Sequence, residues 1–373
     1  MRPVQTNGTQ WRDAQQGTTG PMATFTRCAA SLVLLLGTAA VLSLAARAQD
    51  ACPNRGKLDS IYCDADGDLV ADTPKDPAKQ KDPSTLIFAY SPAENPAVYS
   101  HVYQPLMDHL AQCTGKKLTY FAVQSNTAQI EAFRAGRLHV ALMSTGAVGF
   151  AVNMGGANPI VALGTDKGIF GYKVLAVVKA DSPFQKLTDL KGKKVAHTSP
   201  SSNSGHLAPK VYFPAEGLTP DTDYKPLMSG GHDRSILGVS NGDYDMAPVA
   251  SDIYDRMQAR GEFKPGSLRI IWESEVFPTT SYSIAYDLKP ELAGTLKSCF
   301  LDFKFPDAFK KEYAPADRFL PMTYKDTWRP IRDVAEKSGT PYNRAAYDAQ
   351  AKRDAEAAAK KAAEQQKQPA KAP

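Results

Sequence analysis

The sequence has little of what marks most enzymes and nucleic-acid-binding proteins. It holds only six His and five Cys in 373 residues, and these form no H-E-x-x-H zinc motif and no C-x-x-C pair. A P-loop and a dinucleotide-binding fingerprint are also missing. The sequence also lacks a large excess of one charge. The whole chain has 44 basic and 39 acidic residues, and 40 basic and 38 acidic residues remain when the four Arg and one Asp of residues 1–48 are left out. The sequence therefore predicts no catalytic residues, no enzymatic activity and no nucleic-acid partner.

Long apolar runs are scarce as well, and the one that occurs lies near the N-terminus. Residues 29–46 are mostly apolar, with Arg27 before them and the small-residue cleavage pattern Ala46-Arg47-Ala48 at their end. This order is typical of a secretory signal peptide. We expect residues 1–48 to direct export and to be removed, with Met22 as an alternative start of the chain. A membrane anchor is the other interpretation, since the run is nearly long enough to span a bilayer.

Four cysteines remain after residue 48, an even number that favours two disulfides in an exported chain. Three pairings are open. Cys52–Cys63 closes a short loop, and this choice leaves Cys113–Cys299, which requires the N- and C-terminal thirds of the chain to share a lobe. The alternative is that one pair stays reduced in the core.

Residues 49–83 are poor in large apolar side chains and rich in Asp and Pro, as expected of an appendage on the main fold. They contain the pattern D-x-D-G-D-x-x-x-D, with Asp64, Asp66, Asp68 and Asp72 at its acidic positions. Alternating carboxylates around a glycine turn suit calcium, which prefers several oxygen ligands on a flexible loop. The stretch resembles a single thrombospondin type 3 calcium repeat. We therefore expect a structural Ca²⁺ and no other cofactor, with a solvated acidic turn as the alternative.

From residue 84 onward, short apolar runs of strand length alternate with stretches of helical spacing. This alternation predicts an α/β fold with mostly parallel sheets. Ligands bind beyond the carboxyl ends of such strands, where Tyr90, Ser144 and Thr145 fall. Helix capping and core packing are the alternatives for these three residues. Residues 344–373 are rich in Ala, Lys and Gln, which predicts a solvated helix or a disordered tail.

The most informative stretch is a loop rich in Ser and Asn, Ser202-Asn203-Ser204-Gly205, between a short predicted strand and a predicted helix. Hydroxyl groups and free backbone N–H groups at a helix start can hold a small oxyanion without a cage of lysines. Plain N-capping is the alternative, because Ser and Asn are favoured caps.

Several motifs occur in an order that is shared with a known family. They are Tyr90-Ser91-Pro92, Phe133 to Ala141, Leu187 to Ala196, Ser202 to Gly205, Gly231-His232-Asp233 and Asn241 to Asp245. In this order the chain resembles the periplasmic phosphonate/phosphite/phosphate-binding proteins of ABC importers, a branch of the type II periplasmic receptors. The resemblance covers about residues 84–325. Its most specific part is the Ser-rich loop followed by Gly-His-Asp.

The resemblance implies a two-lobe type II periplasmic binding protein fold with a hinge and an interlobe cleft. One lobe would comprise residues 84–170 and 286–343, and the other residues 171–285. The family's S-T-S-G loop falls on residues 202–205, with Asn203 in place of the usual Thr, and its cleft histidine and acid match His232 and Asp252. The ligand-binding residues expected from the resemblance and the strand ends are Tyr90, Ser144, Thr145, Ser202, Asn203, Ser204, Gly205, His232 and Asp252.

The implied function is capture of phosphonate, phosphite or phosphate by a monomeric periplasmic receptor that docks on a membrane permease. Asp252 would accept a hydrogen bond from a protonated P–OH group, which fully ionised sulfate lacks. The alternative from another class is an exported phosphoesterase-like hydrolase, with Ser204 as nucleophile and His206 or His232 as base. A receptor of the same fold that serves as a sensor is a further alternative.

Overall fold

The computed structural model describes residues 52–94 and 99–367. The predicted signal peptide, with its alternative start at Met22, and residues 368–373 of the tail lie outside the described residues. The described chain forms two β-sheets flanked by helices. We call the first sheet with its helices the first lobe, and the second sheet with its helices the second lobe.

Helices and strands alternate along much of the described chain. The helices are α1 (Ser100–Thr114), α2 (Asn126–Arg134), α3 (Val148–Gly155), α4 (Ala208–Tyr212), α5 (His232–Asn241), α6 (Ser251–Ala259), α7 (Pro290–Asp302), α8 (Asp307–Tyr313), α9 (Tyr324–Thr327), α10 (Arg329–Lys337) and α11 (Arg344–Lys367). The strands are β1 (Thr85–Tyr90), β2 (Lys117–Tyr120), β3 (Val140–Met143), β4 (Ala157–Thr165), β5 (Gly168–Ile169), β6 (Gly171–Lys179), β7 (Val195–His197), β8 (Pro226–Met228), β9 (Met246–Ala250), β10 (Leu268–Pro278), β11 (Ser281–Ala285) and β12 (Arg318–Pro321). A π-helical segment covers Asn203–Leu207.

The first sheet has its strands in the order β12-β4-β11-β3-β1-β2, with β5 paired to β4. Alternate residues of β1 and residues four apart on α1 supply much of its core, and Leu86, Phe88, Leu106 and Leu110 are fully buried there. Because β1 runs parallel to both β2 and β3, the carboxyl ends of β1 and β3 meet at one edge of the sheet.

The second sheet has the order β10-β6-β9-β7-β8. β7 is parallel to β8 and β9, whereas β6 is antiparallel to β9 and β10. The chain enters this lobe through β6 and leaves it through β10. The second lobe is therefore an insertion between β5 and β11 of the first lobe, and two short connections join the lobes.

The two-lobe α/β fold is confirmed, but the sheets are mixed rather than mostly parallel. Four strand pairs in the described chain are parallel and six are antiparallel. β6 and β11 each enter their sheet directly from the other lobe, and each pairs antiparallel with both of its neighbours. The predicted boundary between the lobes at residue 285 is misplaced. The strand Ser281–Ala285 already belongs to the first sheet, where it pairs between β3 and β4.

The N-terminal segment, residues 52–83, packs on the first lobe. Leu58, Tyr62 and Val70 are buried in the main hydrophobic core. The Lys81 ammonium forms an ion pair with the Asp287 carboxylate at 2.6 Å. A few apolar side chains therefore fix a segment whose composition alone indicates an appendage.

Both predicted disulfides are present, Cys52–Cys63 and Cys113–Cys299. The second disulfide joins α1 to α7. The N- and C-terminal parts of the chain accordingly share the first lobe, as this pairing requires.

The C-terminal region forms the long helix α11, one of the two forms that its composition predicts. Its first turns are not merely solvated, because Tyr347 is buried against the Phe150 ring. Further along, Asp354 accepts a hydrogen bond from the Thr127 hydroxyl at 2.6 Å. Within residues 52–94 and 99–367, no helix combines the length and apolar character needed to cross a membrane.

Candidate functional site

A cavity of about 60 Å³ lies between the two lobes. Its size suits a small anion or a few water molecules, since one water needs roughly 10–15 Å³ of cavity volume. Hydroxyl groups make up most of its polar lining. The polar lining residues from the first lobe are Tyr90, Ser91, Tyr99, Ser144, Thr145 and Tyr313. Those from the second lobe are Tyr172, Ser202, Asn203, Ser204, His232, Asp252 and Arg256, and Thr279 and Thr280 come from the connection between β10 and β11.

The Ser/Asn loop contributes three adjacent lining residues, Ser202, Asn203 and Ser204. Ser202 also caps the π-helical segment, because its Oγ accepts a hydrogen bond from the Gly205 N–H at 3.0 Å. The Asn203 amide donates to the Tyr172 hydroxyl at 2.8 Å, while its buried Oδ1 atom has no hydrogen-bond partner. Buried polar atoms are usually paired, so this oxygen is an unsatisfied acceptor on a residue that lines the cavity. The loop therefore both caps a helix and lines the site.

Gly205 is the one predicted ligand contact that the structure does not bring to the cavity. Its N–H is already donated to Ser202, and a Cβ at this position would lie 2.0 Å from the Thr198 Oγ1 atom. Gly205 therefore lets the loop approach Thr198 closely, which is a packing role.

The strand ends of the first lobe place Tyr90, Ser144 and Thr145 at the opposite wall. The Ser144 hydroxyl donates to the Asn126 side-chain oxygen at 3.2 Å. The Thr145 carbonyl accepts a hydrogen bond from the Trp328 indole at 3.0 Å. These contacts hold the loop after β3 in one conformation, with its hydroxyl groups at the cavity.

His232, the first residue of α5, is a buried neutral donor. Burial lowers the pKa of His232 to about 4, although nearby carboxylates including Asp252 oppose this effect. Its Nδ1 accepts a hydrogen bond from the Ala250 N–H at 3.3 Å. A neutral imidazole that accepts at Nδ1 carries its proton on Nε2. That Nε2 lies 3.5 Å from the Ser202 hydroxyl, so its N–H is directed to the Ser/Asn loop.

Asp252, in the first turn of α6, faces the cavity but is not an isolated charge. Its Oδ2 accepts hydrogen bonds from the Arg256 guanidinium at 3.1 Å and from the Thr279 hydroxyl at 3.3 Å. Pairing with a cation stabilises a carboxylate away from bulk water. The carboxylate can thus remain next to an anion that brings a proton.

Sequence reasoning missed seven polar lining residues, which are Ser91, Tyr99, Tyr172, Arg256, Thr279, Thr280 and Tyr313. Tyr172 is a neutral donor, because burial raises its pKa to about 12. No motif surrounds Tyr172 or the two threonines, whose positions depend on how the lobes connect. Arg256 follows Asp252 by four residues on one helix, and this spacing was an available signal for an ion pair at the site.

The nucleophile–base pair of a hydrolase is not assembled around Ser204. The His206 Nδ1 lies 2.8 Å from the His197 Nδ1, and His232 approaches Ser202 instead. In the part of the chain that the structure describes, Ser204 forms no hydrogen bond with either candidate histidine. The pentapeptide at residues 238–242 has the G-x-S-x-G spacing, but it ends α5 rather than turning from a strand into a helix.

Three of the four predicted calcium ligands come together in the N-terminal segment. One carboxylate oxygen from each of Asp64, Asp66 and Asp68 lies within 4.8 Å of the other two. Asp72 is not in this group, and its Oδ2 accepts a hydrogen bond from the Ala65 N–H at 2.8 Å.

Two α/β lobes, joined by short connections and enclosing a small polar cavity, define a solute receptor of the type II periplasmic class. Residues 88–326 match the family of ABC transporter phosphonate periplasmic substrate-binding proteins. The chain belongs to this family, whose members are the binding components of importers and work with a membrane permease.

Two characterised relatives support the assignment. The chain is 29% identical over 253 residues to the phosphate-import protein PhnD of Mycolicibacterium smegmatis, covering 65% of this chain and 79% of that protein. It is 25% identical over 180 residues to the phosphonates-binding periplasmic protein of Escherichia coli, covering 47% of this chain and 53% of that protein.

Solved structures share the fold. PhnD1 of Prochlorococcus marinus, in complex with methylphosphonate, superposes with a TM-score of 0.62 at 19% identity and covers 69% of this chain and 99% of its own. The binding component of a phosphonate transporter from Pseudomonas aeruginosa has a TM-score of 0.62 at 22% identity, with coverages of 77% and 100%. The two-lobe architecture is therefore that of known periplasmic receptors.

Proposed function

We propose that the chain captures a small phosphorus oxyanion, of the class of phosphate, phosphite and methylphosphonate, in the cavity between its lobes. The observation that carries the proposal is the combination of neutral donors with one carboxylate in a cavity of about 60 Å³. Thr145, Ser202 and Ser204 supply hydroxyl groups, and His232 supplies an N–H. Hydrogen bonds to a charged oxygen are stronger than those between neutral groups.

Asp252 gives this site its selectivity. A carboxylate repels a fully ionised anion but accepts a hydrogen bond from an anion that carries a P–OH group. Arg256 and Thr279 occupy Oδ2, which leaves Oδ1 for such a proton. The unpaired Asn203 Oδ1 is a second acceptor in the same lining. Sulfate at neutral pH offers neither acceptor a proton.

Binding is coupled to closure of the lobes and to delivery. Donors come from both lobes, so a bound anion stabilises the closed arrangement by its differential affinity for it. The closed receptor then presents its ligand to the permease. In this proposal the receptor acts as a monomer, and residues 1–48 export it and are cleaved. The names of the relatives support the ligand class, and the two disulfides support an oxidising compartment.

The ligand class is tested by isothermal titration calorimetry with phosphate, phosphite, methylphosphonate and sulfate. We expect saturable binding of at least one phosphorus oxyanion and a much weaker response to sulfate. Asp252→Asn should reduce that preference by about tenfold or more, the worth of roughly 1.4 kcal/mol. Asp255→Asn, on the same helix but exposed, is the matched control. An unchanged preference in Asp252→Asn contradicts the selectivity role.

A second variant tests the loop. Ser204→Ala should weaken all of the bound anions alike by about tenfold, because one donor to the charged oxygens is lost. Ser199→Ala, in the same loop but outside the cavity lining, should bind as the wild type does. Incubation with a phosphonate or a phosphate ester completes the test, since release of product would favour the hydrolase instead.

A further inference from the structure

A cluster of carboxylates lies in the N-terminal segment, which the anion-binding function does not use. Oxygens of Asp64, Asp66 and Asp68 lie within 4.8 Å of one another. Among the described residues, none of these three carboxylates forms an ion pair with Lys, Arg or His. These three carboxylates are thus held together without an ion pair to any cation of the described residues.

Asp64 provides independent evidence that this cluster is a binding site. Its side chain is completely buried, at 0% exposure, although it is an acid. Its Oδ2 accepts a hydrogen bond from the Leu69 N–H at 3.2 Å, but its buried Oδ1 has no hydrogen-bond partner. A buried carboxylate oxygen without a partner costs folding free energy. A cation bound between the three residues would supply the missing interaction.

The loop around the cluster is held in a fixed shape by its own side chains. The Asp66 Oδ1 accepts from the Asp68 N–H at 3.2 Å, and the Asp68 Oδ1 accepts from the Val70 N–H at 3.0 Å. Asp72 closes the loop through its hydrogen bond with the Ala65 N–H. Each exposed acid thereby keeps its second oxygen for another contact.

We propose that Asp64, Asp66 and Asp68 bind one Ca²⁺ ion, with Asp72 as a positioning residue. Only oxygen ligands converge at this cluster, which favours a hard cation over zinc or copper. Calcium takes six to eight oxygens in flexible geometry, and carbonyl groups of the loop and water complete such a set, whereas magnesium demands a near-ideal octahedron.

The ion has a structural role in this proposal. The cluster directly follows the Cys52–Cys63 disulfide, and the Lys325 ammonium in α9 donates to the Gly67 carbonyl inside the loop at 3.0 Å. An ion that orders this loop therefore fixes the N-terminal segment to the first lobe. Its effect should appear in stability and leave anion affinity unchanged.

The test is calcium titration of the full mature chain after treatment with a chelator. We expect one Ca²⁺ per chain by calorimetry, with a dissociation constant on the order of 10⁻⁴ M, the range of extracellular calcium modules. Saturating Ca²⁺ should raise the melting temperature, because the ion binds only the folded state. Mg²⁺ at the same concentration should give a much smaller shift.

Two variants and a control decide the outcome. Asp64→Asn and Asp66→Asn should each weaken Ca²⁺ binding by about tenfold or more, whereas Asp181→Asn, an exposed acid elsewhere, should not. Asp66 is exposed, so its variant stays informative even where Asp64→Asn fails to fold. Absence of saturable Ca²⁺ binding by the wild type at millimolar concentration overturns the proposal. Phosphate titration of the same samples reports the anion site separately, so the two proposals can fail independently.

Discussion

His232 shows how burial sets the chemistry of one residue. An imidazole in water is partly charged near neutral pH, but the buried His232 is neutral and its tautomer is fixed by the Ala250 N–H. A neutral donor binds an anion without adding a charge that would attract every anion equally. The sequence places this histidine at a helix start, but its protonation state depends on burial and on a backbone contact from β9.

Burial of a neutral His232 should make the stability of the whole protein depend on pH. As the pH falls, the unfolded chain protonates His232 near 6.5, whereas the folded chain does so only near 4. The neutral His232 therefore does not destabilise the folded state above about pH 6.5. As the pH falls from there towards 4, the free energy of unfolding decreases progressively. The difference corresponds to about 3 kcal/mol of unfolding free energy. Urea unfolding of the ligand-free protein between pH 7 and 4 measures it.

The matched variants for this experiment are His232→Asn and His101→Asn. His232→Asn removes the titrating group, so its unfolding free energy should decline less steeply with acid than that of the wild type. His101 is exposed on α1, and its variant should follow the wild-type curve. Identical pH profiles for His232→Asn and the wild type would show that the histidine is not buried as a neutral group.

At the scale of elements, the loop before α3 and the Ser/Asn loop meet closely across the cleft. Gly146 lies in the first of these loops. A Cβ at this position would lie 1.9 Å from the Ser201 carbonyl oxygen and 2.7 Å from the Asn203 nitrogen. Both are backbone atoms of the second lobe, which cannot turn aside as a flexible side chain can. The approach of the two elements therefore depends on the missing side chain.

We predict that Gly146→Ala prevents full closure and leaves the fold of each lobe intact. Anion affinity should fall by about tenfold or more, because the donors of the two lobes no longer converge. The melting temperature without ligand should change little. Gly294→Ala is the control, since a Cβ on this α7 residue meets nothing within 4 Å. Wild-type affinity in Gly146→Ala would show that closure tolerates the extra methyl group.

The elements also show how far the sequence alone could lead. Local sequence pattern predicted the alternation of strands and helices, the Ser/Asn loop and the polar strand ends at Tyr90 and Ser144. Local pattern did not predict the antiparallel strands, because β6 and β11 take their direction from short connections between the lobes. Tyr172 was missed for the same reason, since its position at the cavity depends on where β6 enters the second sheet.

At the scale of the whole molecule, a buried ion network joins the lobes beside the cavity. Arg256 lies in α6 of the second lobe and Arg260 directly follows that helix, and both contact Glu94 and Glu312 of the first lobe. The Glu94 side chain is fully buried. Burial acts to raise the pKa of Glu94, but Arg256, Tyr99 and Arg260 outweigh it and lower the pKa. The network therefore forms only when the lobes are together.

Arg260 allows this network to be weakened without changing the cavity lining. Its guanidinium lies 2.6 Å from Glu94 and 2.7 Å from Glu312, and Glu94 keeps Arg256 as a partner when Arg260 is removed. We predict that Arg260→Met favours the open form. The apparent anion affinity should fall by several-fold, because a smaller fraction of the protein is competent to bind.

Stopped-flow kinetics and small-angle scattering measure this effect. Arg260→Met should release its ligand faster, because weaker contacts between the lobes raise the dissociation rate. Its ligand-free radius of gyration should exceed that of the wild type, because a larger fraction of the molecules is open. Arg269→Met is the matched control, since the hydrogen bonds of the Arg269 guanidinium within the described residues go to Ser182, Phe184 and Gln185 of its own lobe. If Arg260→Met retains wild-type release and compactness, the ion pairs do not stabilise closure, and the hydrogen bonds across the cleft must hold the lobes together alone.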